Sequence, residues 1–217
     1  MSLGNRVNLR KIDRMAGLTL RNCLRLHFDS ILLFKQKSYP SAYFLSILAL
    51  EELGKMEMLQ DFVWHSRVDG RYDEDLELKY LERIYSHNIK QRIAVRYIDF
   101  SYKPIKRISK QILNGHLEIL KQNSVYVGFT KKGKEVSLRG KLINPLKISL
   151  IKARKQITYL NDYLSEIILG TIKQTHILDC DSFYEIISMR LYNKLKNAWS
   201  STSPMAKKMI SQINKAR

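Results

Sequence analysis

The charged side chains with the greatest capacity for chemistry lie where an apolar helix would not ordinarily carry them. Ala49-Leu50-Glu51-Glu52-Leu53-Gly54-Lys55 follows a run that is apolar on nearly every side (Ala42, Tyr43, Phe44, Leu45, Ile47, Leu48). Burying a charge is unfavourable unless it is paired. Glu51 and Lys55 are spaced i,i+4 with the acid first, and Glu52 and Lys55 are spaced i,i+3, separations at which helix side chains meet. Gly54 is worth roughly 1 kcal/mol less than alanine inside a helix, so its presence suggests close approach by a neighbouring element. The segment reads either as a polar site set into a helix or as a structural ion pair with one exposed carboxylate.

A second group is Arg83, His87 and Lys90, spaced by four and three, with Gln91 adjacent. On one helix face, a histidine among cations can hold phosphate and move a proton near neutral pH; the same stripe also suits a solvated basic face. His27, His65, His116 and His176 are isolated and read as structural or surface residues. There is no nucleophile-elbow pattern and no phosphate-binding glycine loop. Cys23 and Cys180 lie far apart and form no ligand spacing, so no metal and no cofactor is expected. Free thiols in a reducing cytoplasm are the natural reading.

The elements that must position these groups are helical. Four prolines and nine glycines in 217 residues favour long uninterrupted helices. The apolar spacing predicts a first helix from Asn8 to about Lys37 and a second, started by Pro40, from about Ser41 to Ser66. A helix apolar on all sides belongs at the centre of a bundle. After a turn at Val68-Asp69-Gly70-Arg71, a third helix is predicted from about Asp73 to Ser101 and a fourth from Pro104 to about Asn123. Val125-Tyr126-Val127-Gly128-Phe129, a turn at Lys131 to Lys134 and Glu135 to Leu138 read as a small hairpin or extended insert. A fifth helix follows Pro145 to about Ile177, a sixth runs from Ser182 to Trp199, and Ser203-Pro204 opens a short basic tail helix. The expected architecture is all-α: an antiparallel helical bundle in a single domain, 1–217. Its core is about 8–123, its insert about 124–145, and its extra C-terminal helices about 146–217.

Thirty-eight Lys and Arg against 20 Asp and Glu give a net charge of +18. That field attracts polyanions such as RNA, DNA, an anionic membrane or an acidic protein, and is also compatible with a merely solvated surface. The stretch Met1 to Arg14 lacks the apolar core of a signal peptide, and no run approaches the length of a membrane span. A cytoplasmic protein without membrane insertion is expected. A membrane-surface role for the basic tail (Lys196, Lys207, Lys208, Lys215, Arg217) is disfavoured because the tail lacks a strong apolar face.

These residues resemble the AbiV family of abortive-infection proteins. Ser41-Ala42-Tyr43 leading into Ala49-Leu50-Glu51-Glu52-Leu53-Gly54-Lys55 is similar to its helix entry followed by A-L-E-E-x-G-K. His87-Asn88-Ile89-Lys90 is similar to its H-x-x-K element. Lys121, Tyr126-Val127-Gly128-Phe129 and Pro145 resemble its insert, with Gly128 where the family has aspartate. The three ordered matches span roughly residues 10 to 170. The resemblance implies a HEPN-like bundle, a homodimer, and an antiphage role that arrests the infected cell after a phage-encoded protein is sensed, by action on RNA or the ribosome that shuts down translation. Many HEPN relatives are metal-independent ribonucleases with an R-x4-6-H motif. Arg83 and His87 have only three residues between them, a departure from that spacing. The carry-over is therefore Glu51, Glu52 and Lys55 facing His87 and Lys90, with Arg83 as an additional candidate. The alternative is a non-catalytic helical module that binds protein partners and in which the HEPN site is structural.

Overall fold

In the computed structural model, which describes residues 8–68, 74–95, 103–129, 131–132 and 135–200, helix α1 (Leu9–Lys35) begins at Asn8. The Asn8 side chain accepts hydrogen bonds from the backbone N–H groups of Arg10 and Lys11, satisfying two donors that a helix start leaves open. Lys37, at φ 64°, turns the chain into α2 (Tyr39–Val68). Pro40 sits in the first turn of α2, where its missing N–H does no harm. The short connection folds α1 back along α2, and small residues let them approach. Ala16, Ala42 and Ala49 are fully buried, and the Cys23 thiol donates to the Ala49 carbonyl at 3.2 Å. α2 also packs against four elements described below, and it is the central helix that its all-round apolar character demands.

The expected third helix is divided into α3 (Glu74–Arg83) and α4 (His87–Ile93). At the break Ile84 turns into the core while Tyr85 is exposed, and Ser86 adopts extended geometry. The expected continuation from 96 to 101 lies outside the described residues, as does most of the turn at 68–71. The expected fourth helix is likewise two, α5 (Lys103–Leu113) and α6 (His116–Asn123). Between them Gly115 takes φ 71°, a left-handed conformation that side-chain-bearing residues rarely adopt.

The insert forms two short antiparallel ladders. β1 (Gly128–Phe129) pairs with β4 (Leu142–Ile143), Phe129 opposite Leu142, and β2 (Lys131–Lys132) pairs with β3 (Glu135–Val136). Lys131 and Lys132, expected in a turn, are strand residues. A 3-10 turn at Pro145–Lys147, capped by Asn144, leads into α7 (Leu150–Ile172), capped by Ser149. α7 stops five residues before the expected Ile177, because Gln174 takes φ 57° and the N–H groups of Thr175 and His176 both return to the Gly170 carbonyl. The expected sixth helix starts later. Only a 3-10 turn occupies Asp181–Phe183, and α8 (Met189–Ala198) begins after Ser188, whose hydroxyl caps it. The tail at Ser203-Pro204 lies outside the described residues.

α7 packs on α1 and α2, so Leu160, Leu164 and Ile168 share one apolar core with Leu20, Leu50, Leu53 and Phe62. The chain is all-α apart from the hairpin, as expected. Among the described residues no helix is long and apolar enough to cross a membrane.

Candidate functional site

Three helices converge on one buried carboxylate. Glu51, on α2, is 2 % exposed. α4 reaches it because residue 54 is glycine: a Cβ there would overlap the Lys90 carbonyl oxygen and lie 2.7 Å from the Lys90 carbonyl carbon. With α4 this close, His87 and Gln91, one helical turn apart, both face Glu51. α6 supplies Glu118 and Lys121, which are i,i+3 on one face.

The cluster is densely bonded. Glu51 Oε2 lies 2.6 Å from His87 Nδ1, and Glu51 Oε1 accepts from Gln91 Nε2 and Lys121 Nζ, each at 2.8 Å. Lys121, itself buried, also pairs with Glu118 Oε2 at 2.7 Å. Gln91 Nε2 bridges to Glu118 at 3.1 Å, and Gln122 Nε2 donates to its other oxygen at 2.9 Å. Burial alone would push the Glu118 carboxyl up. Hydrogen bonds from Lys121 and Gln122, together with the positive charge of Lys121, outweigh it and hold Glu118 below the usual carboxylate range. Two carboxylates thus share one buried ammonium, and His87 completes the set at the solvent edge.

His87 differs from its partners in access, with 55 % of its side chain exposed. A carboxylate accepting from Lys121 and Gln91 can only accept from His87 as well, so Nδ1 carries the proton and Nε2 is the acceptor of the neutral ring. An imidazole oriented by a carboxylate and open to solvent can take and return a proton.

Of the residues singled out from the sequence, the structure brings together Glu51 and His87. Glu52 and Lys55 are half-buried on α2, and no described hydrogen bond or ion pair joins either of them to the cluster. Glu51 takes Lys121, 70 residues away, in place of the expected Lys55. Lys90 is buried with its backbone against Gly54 and makes no described ion pair with Glu51. Arg83 is exposed at the end of α3, on the far side of the Ile84–Ser86 break, so Arg83, His87 and Lys90 do not form a stripe on one helix. Glu118 and Lys121 were not among the expected site residues. Their signal is the i,i+3 acid–base spacing on a short helix, with Lys121 also part of the insert resemblance, and Gln91 enters the sequence pattern only as a neighbour of Lys90.

A second polar region lies elsewhere on α2. A cleft of about 590 Å³ is lined by Glu57, Asp61, Trp64, Tyr163 and Glu166, among others. Burial, reinforced by the negative charge of Asp61, pushes Glu57 up to about 7, against a hydrogen bond from Tyr163. Among the described residues no group of three or more His, Cys, Asp or Glu could hold a metal ion.

A family model for AbiV proteins of the HEPN type matches residues 11–162. The match runs from α1 into α7 and includes every member of the Glu51 cluster. No curated protein and no solved structure matches the chain.

Proposed function

We propose that this chain, which belongs to the AbiV family of HEPN-type proteins, arrests phage development by acting on RNA or the translation machinery, with His87 as its proton-transferring group. The family supports an antiphage, abortive-infection role. The observation that carries the finer reading is the 2.6 Å contact between Glu51 and the half-exposed ring of His87. In this reading His87 Nε2 takes the proton of a ribose 2′-hydroxyl. The oxygen attacks the adjacent phosphorus, the bond to the 5′-oxygen breaks, and the proton is returned to that leaving oxygen. The products are a 2′,3′-cyclic phosphate and a free 5′-hydroxyl. Glu51 positions the ring, and Lys121 and Gln91 position Glu51. A charge of +18 draws the polyanion in. A homodimer set off by a phage-encoded protein in the cytoplasm completes the reading.

One observation favours a second reading, a binding module without catalysis. Among the described contacts no arginine or lysine reaches His87: Lys121 is committed to Glu51 and Glu118, and Arg83 is on another helix. Such a site lacks a partner for the charge that develops on phosphate. RNA integrity and translation output in phage-infected cells, compared between wild type and His87→Ala, separate the two. Specific RNA fragments that disappear with His87→Ala support cleavage. Arrested translation over intact RNA supports the binding module.

A further inference from the structure

The hairpin between α6 and α7 presents an apolar face that no described residue covers. Val127 is 71 % exposed, Leu142 54 % and Leu146 82 %, and Phe129, directly opposite Leu142, is 45 % exposed. Both ends of the hairpin are anchored to elements that carry the Glu51 cluster. Ser124 donates to the Lys121 carbonyl at 2.6 Å, and the turn at Pro145–Lys147 packs on α2. Arg139, Lys141 and Lys147, close in sequence to these apolar residues, are exposed. Over residues 124–155 nine lysines and arginines stand against a single carboxylate, Glu135.

We propose that this hairpin is the docking surface for an extended acidic segment of a partner protein, one that alternates apolar and acidic side chains. Charge decides the sign: the exposed Arg139, Lys141 and Lys147 are complemented by carboxylates. The same charge opposes a second copy of this chain, since a two-fold contact would set like charges against each other. Against a nucleic-acid strand stands the aliphatic share of the face: Val127, Leu142 and Leu146 cannot stack on bases, which leaves Phe129 as the one ring among the four. The backbone decides against a lipid surface. Each two-stranded ladder has an outer edge that suits an added strand but that hydrocarbon cannot satisfy. Period-two alternation in the added segment places one row of side chains on Phe129 and Leu142 and the other row toward the basic rim. The proposal does not depend on whether His87 moves a proton.

The test uses the full-length protein and four fluorescent or labelled probes. These are a ten-residue peptide alternating Glu and Val, its Lys–Val counterpart, an oligouridine, and vesicles containing phosphatidylglycerol. The Glu–Val peptide is expected to bind wild type. Binding should weaken at least about tenfold in the Phe129→Ser/Leu142→Ser double variant and, separately, in Lys141→Glu. Helical circular dichroism should be unchanged in both. Equal binding of the Glu–Val peptide by wild type and both variants overturns the proposal, as does preference for the Lys–Val peptide. Binding of only oligouridine or vesicles through this face overturns it in favour of those partners. Loss of a dimer in sedimentation of the double variant overturns it in favour of a second copy.

Discussion

Gly54→Ala tests the geometry on which the Glu51 cluster rests. In an ordinary helix interior this change stabilises by roughly 1 kcal/mol. Here the added methyl would sit 2.7 Å from the Lys90 carbonyl carbon and 3.2 Å from the Ala94 Cβ, while overlapping the Lys90 oxygen. The obstacle is backbone, not a side chain that can rotate away. Ordinary contact begins at 3.4 Å, so α4 must retreat from α2 by about 1.5 Å at the Lys90 carbonyl, and overpacking of this kind costs about 1–3 kcal/mol. The same retreat pulls His87 and Gln91 from Glu51, and a displacement of about 1 Å at a catalytic group lowers rate by about a hundredfold. The expected result is a protein destabilised by about 2 kcal/mol in urea, with phage protection largely lost. Gly128→Ala serves as the control, because a Cβ there meets nothing within 4 Å. A Gly54→Ala protein that is more stable than wild type and fully protective would show that α2–α4 contact does not hold the site.

Two further perturbations follow from buried charge. Lys121→Met strips the shared cation from Glu51 and Glu118, and breaking a buried pair in this way costs about 3–5 kcal/mol. Urea denaturation should show that loss, and adding Glu51→Gln to the same chain should recover at least half of it. The second perturbation concerns pH. Glu57 is raised from 4.5 to about 7 in the folded state, so the folded form holds the proton more tightly and stability falls as pH rises from 4.5 through 7. His27 is lowered from 6.5 to about 4, mainly by burial, so stability falls as pH drops from 6.5 through 4. The two trends oppose each other in wild type. Glu57→Gln removes the first alone. Its unfolding free energy relative to wild type should rise by about 3 kcal/mol between pH 4.5 and 7.5, and a constant difference across that range would refute the assignment.

The sequence pointed to the Glu51 cluster more readily than to its wiring. Glu51 stood out because a charge in an all-round apolar helix needs a reason, and Gly54 because a helix interior disfavours it; α4 explains the glycine, and α4 and α6 together pair the charge. Lys55 was the expected partner because i,i+4 rules see only neighbours along one helix. Lys121 wins instead because α6 brings its ammonium into the core beside Glu51, where it is buried between two carboxylates. The third helix looked continuous because Ile84-Tyr85-Ser86 contains neither proline nor glycine. Its break arises from tertiary packing, with Ile84 buried and α4 drawn onto Gly54. Gly115 could have marked the break in the fourth helix, since a lone helical glycine near a polar residue is also a candidate left-handed stop. The central placement of α2 was legible throughout, because an apolar surface on all sides leaves a helix few other places to go.

In the proposed reading His87, held by Glu51, is the functional group of an antiphage effector. Phage plating on cells expressing wild type, His87→Ala or Glu51→Gln, at equal levels of folded protein, tests it most directly. His87→Ala is expected to abolish protection and Glu51→Gln to reduce it severely, because the ring loses its orienting carboxylate. Undiminished protection by His87→Ala would contradict that reading and leave the cluster as a structural core of buried charge.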